Sequence, residues 1–236
     1  MARQPRLAMG GELHHVLLRG HSGQAVFADD KDRGAFLDML REAAAQQGVA
    51  IHAYVLLDAE VHLLATPQTG EALGRLMQSL GRRYGAAFNR RYGRRGTLWD
   101  GRFRTSVLDA ETLLLDAMAY IETLPLRTGL VLAAREWPWS SAAHHTGRTR
   151  DALVTNHALY WRVGNTPFDR ELAHAHLLNQ PLQATTLVAL AQGVAKGQPL
   201  GRAVFVQRIR LALELPLTAP ARGRPRRVAA NKSVPN

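Results

Sequence analysis

Val49-Ala50-Ile51-His52-Ala53-Tyr54-Val55-Leu56-Leu57-Asp58-Ala59-Glu60-Val61-His62-Leu63-Leu64-Ala65-Thr66 holds two short apolar runs separated by Asp58-Ala59-Glu60. Runs of this length, split by a small polar cluster, read as a β-hairpin with the middle residues at or near its turn. Upstream, Asp29 to Gln47 carries Phe36, Leu37, Leu40, Ala43 and Ala44 at helical spacing and meets Gly48 as a stop. Before it, Gly11 to Leu18 is mostly apolar and reads as a first strand. Downstream, a long helix through Leu73, Leu76, Met77 and Leu80 reaches about Arg91, followed by a loop over Gly93 to Gly101 and a short strand over Phe103 to Leu108. Asp109 is placed to cap a helix from Ala110 to Leu124, which Pro125 terminates. The order β-α-β-β-α-β-α predicts an α+β, ferredoxin-like antiparallel sheet with helices on one face.

The hairpin also carries chemistry. Glu60 and His62 are two residues apart, so on a strand both side chains leave the same face. Asp58 would join them if the strand extends that far. A carboxylate beside an imidazole can hold Mg²⁺ or Mn²⁺, although a Glu-x-His pair on a strand is more often surface decoration.

Between the hairpin and the last helix lies a cationic segment with Arg82, Arg83, Arg90, Arg91, Arg94, Arg95, Arg102 and Arg104. Tyr84, Phe88, Tyr92, Trp99 and Phe103 interleave with them. Guanidinium groups neutralise phosphates and aromatic faces stack bases, so the combination suits single-stranded nucleic acid. Tyr84 and Phe88 also fit the buried stripe of the helix. The net charge of +11 agrees with a polyanionic partner, and an arginine-favouring genome is the alternative source of that excess.

With 236 residues the chain can form one ordinary core and a smaller appendage. The absence of cysteine excludes disulfides and thiolate zinc sites. No apolar run approaches the ~20 residues that span a bilayer, and the N-terminus lacks a signal-peptide pattern. An intracellular protein is expected.

Three segments are expected: a domain over 1–147, a helical C-terminal region over 148–217, and a basic tail over 218–236. In the second, Thr166-Pro167 opens a helix, and helices over Ala184–Ala195 and Arg202–Leu215 could form a helix-turn-helix or pack on the main domain. In the tail, Arg222-Gly223-Arg224-Pro225-Arg226-Arg227 resembles an AT-hook, whose arginines enter the minor groove, or is a generic solvated basic tail.

Taken together, His15 to Ser141 resembles the single-tyrosine HUH transposases, especially the REP-associated tyrosine transposases of bacteria. The matching words include Arg19-Gly20, His52-Ala53-Tyr54, His62-Leu63-Leu64, Gly96-Thr97-Leu98-Trp99-Asp100-Gly101-Arg102-Phe103, Tyr120-Ile121-Glu122 and Trp137-Pro138-Trp139-Ser140-Ser141. The resemblance implies an HUH endonuclease domain that cuts single-stranded or hairpin DNA. Tyr120 would be the nucleophile forming a 5′-phosphotyrosine, and His62 a ligand of a divalent metal, Mg²⁺ or Mn²⁺. It also implies a homodimer and a cytoplasmic, nucleoid-associated place in a bacterium.

Two positions depart from the family. Glu60 stands where the family has its first histidine, and Leu124 where it has an Asn or Gln ligand one turn after the tyrosine. Two readings stay open: a working endonuclease using Glu60, His62 and Asp58, or a descendant that binds structured DNA without cleaving it. An RNA-binding module is a third class, since stacking and arginine contacts suit RNA equally. His15 and His52 lie on predicted core strands, where a structural hydrogen bond is expected and either could approach the metal face. His144 and His145 carry no readable signal.

Overall fold

Strands β1 (Leu13–Arg19), β2 (Val49–Leu56), β3 (Glu60–Pro67) and β4 (Arg104–Leu108) form one antiparallel sheet in the order β2-β3-β1-β4. The computed structural model describes residues 8–214. The predicted hairpin is β2-β3, closed where the Leu57 amide donates to the Glu60 carbonyl at 2.8 Å.

Helices α1 (Asp30–Gln47) and α2 (Ala72–Arg91) form the layer on one face. Phe36, Leu40, Leu73, Leu76, Leu80 and Tyr84 pack there against Val16, Leu18, Val61 and Leu63. Asp29 caps α1 by accepting the Asp32 amide at 3.0 Å, and Gly48 ends it in the left-handed region with φ of 63°. Helix α3 (Ala110–Glu122) covers the opposite face, where Leu114, Ala117, Met118 and Ile121 meet Leu13, Ala53, Val55 and Leu64. Burial on both faces explains why β1 and β2 read as continuous apolar runs and not as alternating ones.

Two expected helix ends differ in detail. Asp109 precedes α3, but its carboxylate goes to Arg202, accepting Nε at 2.6 Å and Nη2 at 2.9 Å. Pro125 does not stop the helical path. It lies in the first turn of a single-turn helix, α4 (Leu124–Arg127), which follows α3 after Thr123 alone. A proline is tolerated in a first turn because its missing N–H would be unpaired there anyway.

The remaining helices are α5 (Ala142–His145), α6 (Pro167–Asn179), α7 (Ala184–Lys196) and α8 (Ala203–Ala212). Thr166 caps α6 in a reciprocal box with Asp169, both bonds at 3.1 Å. Described residues after 147 contribute to both cores already named. Leu153 joins the α1–α2 cluster, while Tyr160 and Leu190 join the α3 cluster. Phe205 and Ile209 of α8 pack on Val107 of β4. Leu190 and Val194 of α7 and Phe205 and Ile209 of α8 are buried, while Val188, Val204 and Leu211 of the same helices stay exposed.

Both outer strands take short partners from loops. Leu200 bridges Leu108 of β4 in parallel, with its amide donating to the Val107 carbonyl at 2.9 Å. On β2, Val154 bridges Ile51 and Ser140 bridges Val55.

Candidate functional site

Glu60 opens β3 and His62 follows on the same face, the face that α3 covers. The two side chains are adjacent, His62 Nε2 lying 3.3 Å from Glu60 Oε2. The other ring nitrogen of His62, Nδ1, lies 2.9 Å from Nε2 of His15 on β1, and the two imidazoles stack with centroids 5.2 Å apart. Glu60 offers its second oxygen to Nε of Arg19 at 2.9 Å. The result is a chain Arg19–Glu60–His62–His15 across two strands.

Tyr120 of α3 reaches the same place. Its ring meets His15 edge-on at 5.5 Å and His62 at 6.2 Å between centroids. Thus Glu60, His62 and Tyr120, expected together from the sequence, share one corner of the fold, and His15 approaches as well. The turn of α4 brings Arg127 back over the phenol. Its guanidinium carbon lies 4.6 Å from the ring centroid, and Nη2 donates to the Tyr120 carbonyl at 2.5 Å.

Burial sets the electrostatics. It pushes the Tyr120 phenol above its ordinary value, and the Arg127 charge only partly offsets this. It also lowers His62 and His15, so both imidazoles are neutral near pH 7. Glu60 is held below the usual carboxylate range, chiefly by its hydrogen bond to His62.

Other expected ligands do not arrive. Asp58 lies in the turn before β3, and its carboxylate pairs with Arg33 of α1. Leu124 packs partly buried against the apolar α3 cluster and has no donor atom. Glu60 and His62 are thus two protein donors, each already engaged on both sides. An Mg²⁺ or Mn²⁺ ion held here by these two donors would have to complete its shell with water and phosphate oxygens.

The arginine segment divides into committed and uncommitted cations. Arg83 pairs with Glu42 at 2.6 Å, and Arg91 with Asp29 and Asp32 at 2.5 Å each. Both fasten α2 to α1 or to its N-terminal turn. Arg94 donates to Gln24 at 2.8 Å and Arg104 to the Ala195 carbonyl at 3.1 Å. Arg82, Arg90, Arg95 and Arg102 are exposed and make no ion pair among the described residues.

Trp99 is not free to stack on a base. Its indole donates to the Gly81 carbonyl at 3.1 Å, and its ring leans on Phe36 and Tyr84. This anchor holds the loop over 93–103 against the end of β1, where the Asp100 backbone amide donates to the Arg19 carbonyl at 2.8 Å. Gly20 is required at that junction, since a Cβ would fall 1.9 Å from the Gln24 carbonyl oxygen. The arginine loop therefore borders the Arg19–Glu60 end of the tyrosine site. Arg222, Arg224, Arg226 and Arg227 lie outside the described residues.

A second polar cluster was not visible in the sequence. Glu122, two residues beyond Tyr120, is fully buried and accepts His145 Nδ1 of α5 at 2.6 Å, His174 Nε2 of α6 at 2.6 Å and the Ser141 hydroxyl at 2.5 Å. Burial alone would raise this carboxyl, but the two histidines outweigh it and hold Glu122 low. Its members lie far apart in the chain, so no local pattern points to it.

No protein-family model matches the chain, and no curated protein does. Among solved structures, the chain is similar to a REP-associated tyrosine transposase bound to a REP hairpin. The TM-score is 0.50 at 14% identity, over 66% of this chain and 99% of that one. A candidate transposase from Deinococcus radiodurans R1 matches over 48% of this chain and 91% of that one, at 23% identity and a TM-score of 0.35. Among the described residues, no helix is long and apolar enough to cross a membrane. By the first of these similarities, this chain has the α+β fold of a REP-associated tyrosine transposase.

Proposed function

We propose that this protein binds structured, single-strand-containing DNA of the hairpin kind, with the arginine loop gripping phosphates beside the Tyr120 corner. The observation that carries this reading is the set of exposed arginines without acidic partners on α2 and on the loop that Trp99 anchors next to the Arg19–Glu60 end of the sheet. Uncommitted guanidinium groups, Arg82 and Arg90 on α2 and Arg95 and Arg102 on the anchored loop, attract phosphate without first breaking an internal ion pair. The fold, shared with a transposase bound to a REP hairpin, supports DNA over RNA.

A second reading, strand cleavage by Tyr120, is favoured by the phenol lying against His62 and beneath Arg127. Arg19 and Arg127 would then provide the positive charge that a scissile phosphate needs, and the Tyr120 oxygen would attack phosphorus as the 3′-oxygen leaves. The raised phenol and the two-donor ligand set weigh against it.

One experiment decides between them. A labelled DNA hairpin with single-stranded flanks is incubated with the protein in Mn²⁺ and resolved on denaturing gels, beside a native binding titration. Salt-sensitive binding with no covalent adduct, and equal binding by Tyr120→Phe, is the expected result. An adduct that disappears in Tyr120→Phe establishes cleavage instead. Equal affinity for hairpin RNA, or none for either nucleic acid, overturns the DNA reading.

A further inference from the structure

We propose that Glu122, His145 and His174 form a binding site for a first-row transition-metal ion, Zn²⁺ above all, that fastens the tyrosine-bearing helix to the C-terminal half of the chain. The three residues come from α3, α5 and α6, and their ligand atoms all lie within 4.8 Å of one another. His145 is 3% exposed, His174 1% and Glu122 0%, so protein encloses all three donors. Two imidazoles and one carboxylate are a zinc-type donor set, whereas Mg²⁺ and Ca²⁺ prefer oxygen.

The hydrogen bonding of the cluster is incomplete without an ion. His145 and His174 each give one ring nitrogen to Glu122, and the opposite nitrogens, His145 Nε2 and His174 Nδ1, are buried with no partner. Buried polar atoms of this kind are uncommon in folded proteins. Beside His145 lies a cavity of about 370 Å³ lined by His145, Asn156 and Tyr160 among others. Asn156 Oδ1 and the Tyr160 hydroxyl are likewise buried and unpartnered.

A bound ion changes the accounting. Each ring passes its proton from the inner nitrogen to the outer one, and the inner lone pairs and the Glu122 oxygens turn to the metal. The outer nitrogens become donors, and His145 then has the acceptor oxygens of the cavity wall within its surroundings. Zinc–nitrogen and zinc–oxygen bonds of ~2.0–2.2 Å require the rings to withdraw from Glu122 by less than ~1 Å. Water from the cavity completes the coordination shell. The ion is structural, because Glu122 lies wholly inside the protein. Nothing in the DNA-binding reading depends on it.

The full-length protein, stripped with a chelator, is titrated with Zn²⁺ alone by calorimetry and with Co²⁺ alone by visible spectroscopy. The expected results are one ion per chain, the intense d–d bands of a four- or five-coordinate cobalt site, and a rise in Tm with zinc. Glu122→Gln and His174→Asn should lose all three, while His176→Asn, an exposed histidine of the same helix, and His62→Asn should retain them. Should the first two variants not fold, X-ray absorption at the zinc edge of the wild-type protein reads the ligands directly, two imidazoles and a carboxylate being expected. A six-coordinate cobalt spectrum, zinc retained by folded His174→Asn, zinc lost with His62→Asn, or no ion bound at micromolar zinc overturns the proposal.

Discussion

Lowering the pH from 7 to 5 is expected to cost the fold roughly 3–4 kcal/mol, a large share of the 5–15 kcal/mol that typically holds a domain together. The source is the number of histidines enclosed as neutral rings. His14 donates Nδ1–H to the Glu12 carbonyl at 2.7 Å and accepts the Met9 amide on Nε2 at 3.2 Å. His52 bonds the Thr155 carbonyl at 2.6 Å and the Thr66 hydroxyl at 2.9 Å. Each ring has one donor and one acceptor role filled, which suits the neutral form. Burial accordingly lowers both to about 4.

The sign follows from proton counts. Between pH 6.5 and about 4 the unfolded chain binds a proton on each ring and the native chain does not, so stability falls as pH falls through that window. His15 and His62 are shifted in the same direction, also by burial, and add to the slope. Urea denaturation at pH 7, 6 and 5 measures the effect. A midpoint that stays constant across these values would show that the rings titrate normally inside the protein.

Replacing Arg82, Arg90, Arg95 and Arg102 together with alanine is expected to weaken hairpin binding by about 10²–10³-fold at 0.1 M salt. If each arginine neutralises one phosphate of a single strand, the slope of log affinity against log salt should become shallower by roughly 3. The fold should be unaffected, since none of the four has an ion-pair partner among the described residues. Arg91→Ala should behave in the opposite way, because it removes the cation that neutralises the buried Asp32. Its loss should appear first in thermal unfolding. An unchanged salt slope in the fourfold variant would place the DNA on another surface.

The fold was legible in the sequence wherever periodicity or punctuation carried the signal. The β2-β3 hairpin and helices α1, α2, α6 and α7 follow from apolar spacing, caps and Gly48. What periodicity cannot supply is which face a helix takes, so the placement of α3 opposite α1 and α2 emerged only from the packing. The same limit applies to the site. Glu60 and His62 are local, two residues apart on one strand, and a short-range argument finds them. Trp99 looked like a stacking platform because its neighbours are arginines, yet the core claims it through Gly81 and Tyr84. Glu122, His145 and His174 are separated by 23 and 52 positions and sit on three helices, so no local pattern joins them.

The loop segments laid along β2 and β4 have a consequence for how copies of this chain can meet. With Leu200 on one flank and Val154 and Ser140 on the other, backbone groups that would otherwise recruit a foreign strand are already engaged. Continuous cross-molecule sheets, and the fibrous assemblies that grow from them, are thereby disfavoured. Pairing through side chains on helical or loop surfaces is favoured over strand addition at either flank.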